Sequence, residues 1–235
     1  MNKLIVVTGG TKGIGRAIID KFANHHFDVV SCARNAQALK ELEDELHAKH
    51  PAIQVHTMAA DMADKQQVKL FSEFVISLKR PIDVLVNNAG YFIPGEISTE
   101  PEGTLESMIH ANLYSAYYTT RGLVHEMKKQ RSGHIFNMCS IASIKAYSNG
   151  GSYAISKFAM LGFSKCLREE LKEFGVRVTA ILPGATRTAS WEGSDLPEER
   201  FMKMEDVAEV VYSAYSISGR SVVEEVIIRP QLGDI

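Results

Sequence analysis

Hydrophobic and polar positions follow two periods along the chain. Short runs rich in Val, Ile and Leu recur at 3–8 (KLIVVT), 28–33 (DVVSCA), 53–59 (IQVHTMA), 82–87 (IDVLVN), 134–140 (HIFNMCS), 177–182 (RVTAIL) and 224–230 (EEVIIRP). Each has the length of a strand, and several are nearly unbroken apolar runs, as expected where both faces of a parallel sheet are covered. Between them lie segments with apolar residues at helical spacing, such as GRAIIDKFANH and AQALKELEDELHAK. The alternation predicts βαβ units, hence an α/β fold: a doubly wound parallel sheet of about seven strands with helices on both faces. No linker, repeat or low-complexity stretch interrupts it, so residues 1–235 are expected to form one domain.

Four strands run directly into polar or glycine-rich turns: TGGTKGIG, NNAG, CSIAS and PGATRT. In a parallel sheet these turns share one rim, where open α/β sheets bind ligands near the point at which strand order reverses. In the first turn, Gly9, Thr11, Lys12, Gly13, Ile14 and Gly15 lead from strand to helix. Glycines permit close approach of backbone to ligand, and a helix N-terminus suits a pyrophosphate. The spacing is G-x-x-x-G-x-G. The second strand ends in Ala33 followed by Arg34 and Asn35. No carboxylate stands there for a ribose 2′-OH, whereas Arg34 and Lys12 offer two cations for a 2′-phosphate. The expected cofactor is therefore NADP(H). Asp61, after the third strand, is either an adenine contact or a helix N-cap. Asn88, Ala89 and Gly90 of NNAG, and Pro183, Gly184, Thr186 and Thr188 of PGATRT, complete the expected cofactor contacts.

Composition narrows the picture. The hydrophobic share is 45%, the charged share 23% and the net charge −2, so nothing marks a nucleic-acid or anionic-membrane surface. No apolar run is long enough to span a bilayer. The opening MNKLIVVTGG is read as a first strand, not a signal peptide. Three scattered cysteines argue against a disulfide framework, and neither they nor the eight histidines have metal-ligand spacing. No metal is expected, and a reducing cytoplasm is the default compartment. Cys139 reads as a small buried residue.

One stretch remains, GSYAISKF, with Tyr153 and Lys157 one helical turn apart on a shared face. With TGGTKGIG, NNAG, Asn112 in HANLYSA, Ser140 in CSIAS, YAISK and PGATRT, in order over residues 3–188, the chain resembles the short-chain dehydrogenase/reductase family. The resemblance implies a Rossmann-type fold and a Ser140–Tyr153–Lys157 catalytic group with Asn112 as an accessory. It also implies that Lys157 hydrogen-bonds the nicotinamide ribose, and that helices near 104–129 and 153–174 pack against a partner subunit in a homodimer or homotetramer. The chemistry agrees. Tyr153 can protonate a carbonyl oxygen as hydride reaches its carbon, with its pKa held down by the Lys157 ammonium. Ser140 can donate a second hydrogen bond to the forming alkoxide, and Asn112 would hold a water beside Lys157.

On the substrate side, 188–200 resembles the family's lid. Its Trp191 suits a flat ring or simply anchors the loop. Tyr91 and Phe92 lie beside the cleft. The short lid and the ending SVVEEVIIRPQLGDI resemble bacterial sepiapterin-reductase-like members, in which Asp234 would be a pterin contact or a solvated tail. Reduction of a pterin side-chain ketone, of a 3-oxoacyl thioester or of assorted ketones all remain open. A dinucleotide-sensing protein without chemistry would not need the catalytic set.

Overall fold

The computed structural model describes residues 1–188 and 195–235. Seven strands form one parallel sheet: β1 (Leu4–Thr8), β2 (Asp28–Ala33), β3 (Val55–Ala59), β4 (Val84–Asn87), β5 (His134–Met138), β6 (Arg177–Pro183) and β7 (Glu225–Ile228). Their order is β3-β2-β1-β4-β5-β6-β7, with every neighbouring pair parallel. The helices are α1 (Gly13–Ala23), α2 (Ala36–Lys49), α3 (Lys65–Ser77), α4 (Thr104–Ile109), α5 (Ser115–Gln130), α6 (Gly151–Leu171) and α7 (Met204–Ser216). Chain order reverses between β1 and β4, so the switch point lies where the first glycine loop meets NNAG.

The expected strands are all present: β2 keeps its expected bounds, β6 runs one residue further to Pro183, and the other five are trimmed. The third starts at Val55 because the Ile53 amide bonds back to His50 in a turn. The fifth stops at Met138 because the Cys139 amide turns back onto Asn137.

The two-residue strand period splits the core into two layers. Ile5 and Val7 face one way and pack with Ile18, Ile19 and Phe22 of α1, Leu42 and Leu46 of α2, and Val207 and Val211 of α7. Leu4 and Val6 face the other way, towards Val68, Phe71 and Val75 of α3, Leu123 and Met127 of α5, and Leu167 and Leu171 of α6. Each of these side chains is fully or almost fully buried, contributing about 1.5–3 kcal/mol relative to exposure. Among the described residues no helix is long and apolar enough to cross a membrane, and no cluster of His, Cys, Asp or Glu could hold a metal.

Candidate active site

Two loops are locked together across the switch point. Thr8, the last residue of β1, receives the amides of Asn88 and Ala89 on its hydroxyl, both at 3.0 Å. In return Asn88 Nδ2 donates to the carbonyls of Thr8 (2.9 Å) and Gly9 (3.0 Å). Gly15 fits beneath this lattice only because it lacks a side chain. A Cβ there would stand 2.4 Å from Asn88 Nδ2 and 2.5 Å from the Gly9 carbonyl. Gly9 and Gly13 both have positive φ, +70° and +60°, which a larger residue would strain to adopt. Gly90 is confined in the same way, with Asn112 Oδ1 2.5 Å from a notional Cβ.

The surroundings of this loop suit a phosphorylated ligand. Helix α1 has no side-chain cap, so its first amides are open to an anion. Lys12 and Arg34 are both exposed, and neither has a side-chain hydrogen bond or ion pair among the described residues. Thr188 lies over the loop, its Cγ2 3.5 Å from a notional Gly13 Cβ. Thr11 is half-buried in the loop, and Ile14 packs on the core. Pro183 ends β6, and the Gly184 amide bonds the Ile228 carbonyl at 2.8 Å. Thr186 is buried, its hydroxyl donating to the Gly184 carbonyl at 3.1 Å. Asn35 caps α2 by accepting the Ala38 amide at 3.1 Å, so its side chain already has a structural task. Asp61 is not the cap of α3; Asp64 is, accepting the amides of Gln66 (2.7 Å) and Gln67 (3.1 Å). Asp61 Oδ1 accepts the Ala63 amide at 2.9 Å, which leaves Oδ2 without a partner among the described residues. Residues 189–194 of the expected lid, Trp191 among them, lie outside the described residues.

The expected catalytic set gathers beyond β5. Ser140 lies past the end of the strand and caps a short 3-10 turn, Ile141–Ser143: its Oγ accepts the Ala142 amide while Ser143 Oγ accepts the Ser140 amide, each at 3.1 Å. That reciprocal cap fixes the hydroxyl. Tyr153 is the third residue of α6 and Lys157 follows one turn later, its Nζ 5.7 Å from the Tyr153 ring centre and donating to the Met138 carbonyl at 2.8 Å. Burial pushes the Tyr153 phenol above its ordinary range, partly offset by a hydrogen bond with Ser140. The same burial pushes the Lys157 ammonium down. Desolvation, which opposes the charged form of both, thus sets the direction for each, and Lys157 is not among the groups that lower Tyr153.

Asn112 sits in a π-helical turn, His110–Tyr114, between α4 and α5. Such turns re-aim a side chain within a helix. Its amide grips the chain after Gly90: Oδ1 accepts the Tyr91 amide (2.8 Å), and Nδ2 donates to the Tyr91 carbonyl (3.0 Å) and to Ser156 Oγ (3.0 Å). With both Nδ2 hydrogens committed, the Asn112 side chain acts as a clamp between NNAG and the neighbour of Lys157.

Phe92 packs edge-on against Tyr153 at 4.9 Å. Tyr147, from the loop before α6, lays its ring 3.3 Å from a notional Gly150 Cβ. Its phenol is pushed up to about 12, first by burial and then by Tyr153. Cys139 is buried with its thiol pushed up to about 11, as suits an inert residue. Asp234 pairs with Arg229 (3.4 Å) and Lys145 (3.8 Å), so the tail does reach the loop after Ser140, with its carboxylate already answered. Three site residues had not been singled out from the sequence. Thr8 was legible as a lone hydroxyl ending an apolar strand beside two loops, and Tyr147 as an aromatic in the stretch joining Ser140 to Tyr153. Glu100, which bonds Ser152, carried no local signal.

An open α/β sheet with a glycine cradle at its switch point and a Ser–Tyr–Lys group beside it defines a class. The family model for short chain dehydrogenases matches residues 3–198, and the chain belongs to that family. A sepiapterin reductase of Chlorobaculum tepidum is 35% identical, over 100% of this chain and 99% of that one. An alcohol dehydrogenase of the archaeon Thermococcus sibiricus, solved with 5-hydroxy-NADP, superposes with a TM-score of 0.93 at 25% identity, covering 100% and 99% of the two chains. A metagenomic short-chain oxidoreductase solved with NADP gives 0.83 at 29%, covering 97% of each.

Proposed function

We propose that the protein is an NADP(H)-dependent oxidoreductase that reduces a small-molecule carbonyl to an alcohol, the whole chain acting as one dinucleotide-binding domain. The observation that carries this reading is the convergence of Ser140, Tyr153 and Lys157 beside a glycine cradle that a single Cβ would fill. Lys12 and Arg34, unpartnered among the described residues, favour a 2′-phosphate, and the two relatives solved with NADP-type dinucleotides support the same choice. Gly9, Gly13, Gly15 and the first amides of α1 would hold the pyrophosphate, Lys12 and Arg34 the 2′-phosphate, and Thr188 the loop's outer side.

When bound, the reduced nicotinamide supplies a hydride to the carbonyl carbon. Tyr153 donates its proton to the carbonyl oxygen, and the fixed Ser140 hydroxyl donates a hydrogen bond to the same atom. Burial keeps Tyr153 protonated, the form reduction needs. The Lys157 side chain, held by the Met138 carbonyl, stabilises the phenolate left behind when it carries its charge.

For the substrate we favour a pterin side-chain ketone. The sepiapterin reductase relative aligns over the full chain, and Phe92 and Tyr147 place two aromatic rings next to the proton donor. The subunits are proposed to pair through α5 and α6, where Tyr117, Ile155 and Phe158 are exposed. The free cysteines suit a reducing cytoplasm. The test is an NADPH-oxidation screen of sepiapterin, diketones and acetoacetyl thioesters beside Tyr153→Phe, with sedimentation for the assembly. Turnover of sepiapterin above the others, lost in the variant, is expected. Preference for an acyl thioester or a simple diketone would overturn the pterin assignment, and a monomer the pairing.

A further inference from the structure

The catalytic helix begins without a cap of its own. Gly150 stands at the N-cap position of α6 and has no side chain to offer the first amides. The carboxylate that serves them comes from the loop after β4. Glu100 Oε1 accepts the hydroxyl of Ser152 in a short hydrogen bond, and Oε2 accepts the Ser152 amide at 3.4 Å. Ser152 is 1% exposed, so without Glu100 its hydroxyl would be buried and unpaired. Around this bond the two segments are pressed together. Gly95 bridges Gly150 and donates its amide to the Asn149 carbonyl at 3.1 Å. A Cβ on Gly151 would lie 2.5 Å from the Gly95 carbonyl and 2.9 Å from Glu100 Oε2, so the contact admits nothing larger than glycine. A turn in which the Thr99 and Glu100 amides bond the Glu96 carbonyl, at 2.9 and 2.8 Å, presents the carboxylate. The same loop starts at Tyr91, gripped by Asn112, and carries Phe92 against Tyr153.

We propose that Glu100 is a positioning residue for Tyr153: it clasps the first turn of α6 and so holds the phenol in register with Ser140. The inference rests on the reading of Tyr153 as proton donor. It assigns Glu100 to the chemical step and not to cofactor binding, because its contacts are confined to the start of α6 and lie away from the glycine loop. A carboxylate near a helix N-terminus is favourable in itself, and here it also supplies a geometric lock.

The test uses the full-length protein with NADPH, comparing Glu100→Ala, Glu100→Gln and Ser152→Ala. In Glu100→Ala, kcat for the best carbonyl found in the screen is expected to fall about tenfold or more, while NADPH affinity from nicotinamide fluorescence stays within about twofold. Glu100→Gln keeps an oxygen for the Ser152 hydroxyl and should recover to within about threefold of wild type. Ser152→Ala removes the donor and leaves Glu100 in place; it should repeat the kcat loss, and it carries the test if Glu100→Ala does not fold. An unchanged kcat in the alanine variants, a matching loss of NADPH affinity, or a Gln variant as poor as the Ala variant would overturn the proposal. Hydrogen exchange at 150–154 reads the clasp without activity and should quicken in Glu100→Ala. Unchanged exchange refutes the clasp, whereas a wild type that reduces no carbonyl refutes only the reductase reading.

Discussion

The two ends of the sheet use similar side chains for opposite purposes. At the N-terminal ends of the strands, charge is closed on itself. Asp28 is 3% exposed and accepts from Arg80 (2.6 Å), Asn2 (3.0 Å) and the Gln54 amide (2.7 Å). Burial alone would push its carboxyl up, but these three donors hold it below the ordinary range. Asp83 takes the Leu4 amide, and Arg177 donates to the carbonyls of Tyr215 and Ile217. At the C-terminal ends the opposite holds. Among the described residues Lys12 and Arg34 have no acid to meet, α1 is uncapped, and the half-buried Tyr153 and buried Lys157 have no carboxylate beside them. The closed end pairs its charges, although Arg80 Nε and His134 Nδ1 stay without partners among the described residues; the open end leaves its cations facing a ligand-sized rim.

The contrast breaks if a variant at one end behaves like a variant at the other. The largest effect is expected at the open end. Tyr153→Phe removes only a hydroxyl, so kcat should fall about a thousandfold while NADPH affinity and Tm barely move. A large drop in Tm would place Tyr153 in the structural class. At the closed end, Arg80→Ala leaves Asp28 buried without its cation. That should cost about 3–5 kcal/mol of stability, a fall in Tm of roughly 10 °C, with unaltered affinity for NADPH. A normal Tm would show that Asn2 and Gln54 suffice.

The same contrast explains what could be read in advance. The strands were legible because a doubly covered sheet demands apolar runs, and the rim because glycines and polar turns follow those runs. Ser140, Tyr153 and Lys157 lie within or just before one helix, so their proximity is nearly local. Asn112 was visible as a candidate, but its clamp on Tyr91 depends on a π-helical turn that no short-range pattern announces. Glu100 reaches Ser152 across 52 residues, and only tertiary packing joins them. Desolvation was also hidden: spacing suggests a lysine that acidifies a tyrosine, whereas burial sets the direction for both. At the closed end, Asp28 and Arg80 read as ordinary charges until the fold buries them.

A smaller effect sharpens the assignment of the open cations. Arg34→Ala should raise the Kd for NADPH about tenfold and leave that for NADH within about twofold, because only NADPH carries the 2′-phosphate. Equal losses for both would return Arg34 to the solvated surface. Lys12→Ala should act in the same direction and more weakly, since lysine offers a point charge and not a paired fork.

The most graded effect belongs to His134 at the closed end. Its ring is fully buried and stacked on Phe136, with Nε2 2.7 Å from Thr179 Oγ1. The Thr179 hydroxyl donates to the Val223 carbonyl, so His134 must donate from Nε2, which leaves Nδ1 unprotonated and without a partner among the described residues. Burial, aided by Arg177, pushes its pKa down to about 2 from 6.5. In the window between those values the unfolded chain binds a proton that the folded protein refuses. Stability is therefore full above about pH 6.5 and falls by roughly 1.4 kcal/mol per unit as pH drops below it. Asp28 and the ion-paired Glu45, Glu126 and Glu169 add acid losses of their own, but only near and below the ordinary carboxylate range, so the interval from about pH 6.5 to about pH 5.5 reads the histidine best. Denaturant unfolding across that interval should show the slope in wild type and lose it in His134→Gln, whose amide can still donate to Thr179 without titrating. An equal slope in both would move the acid sensitivity away from His134.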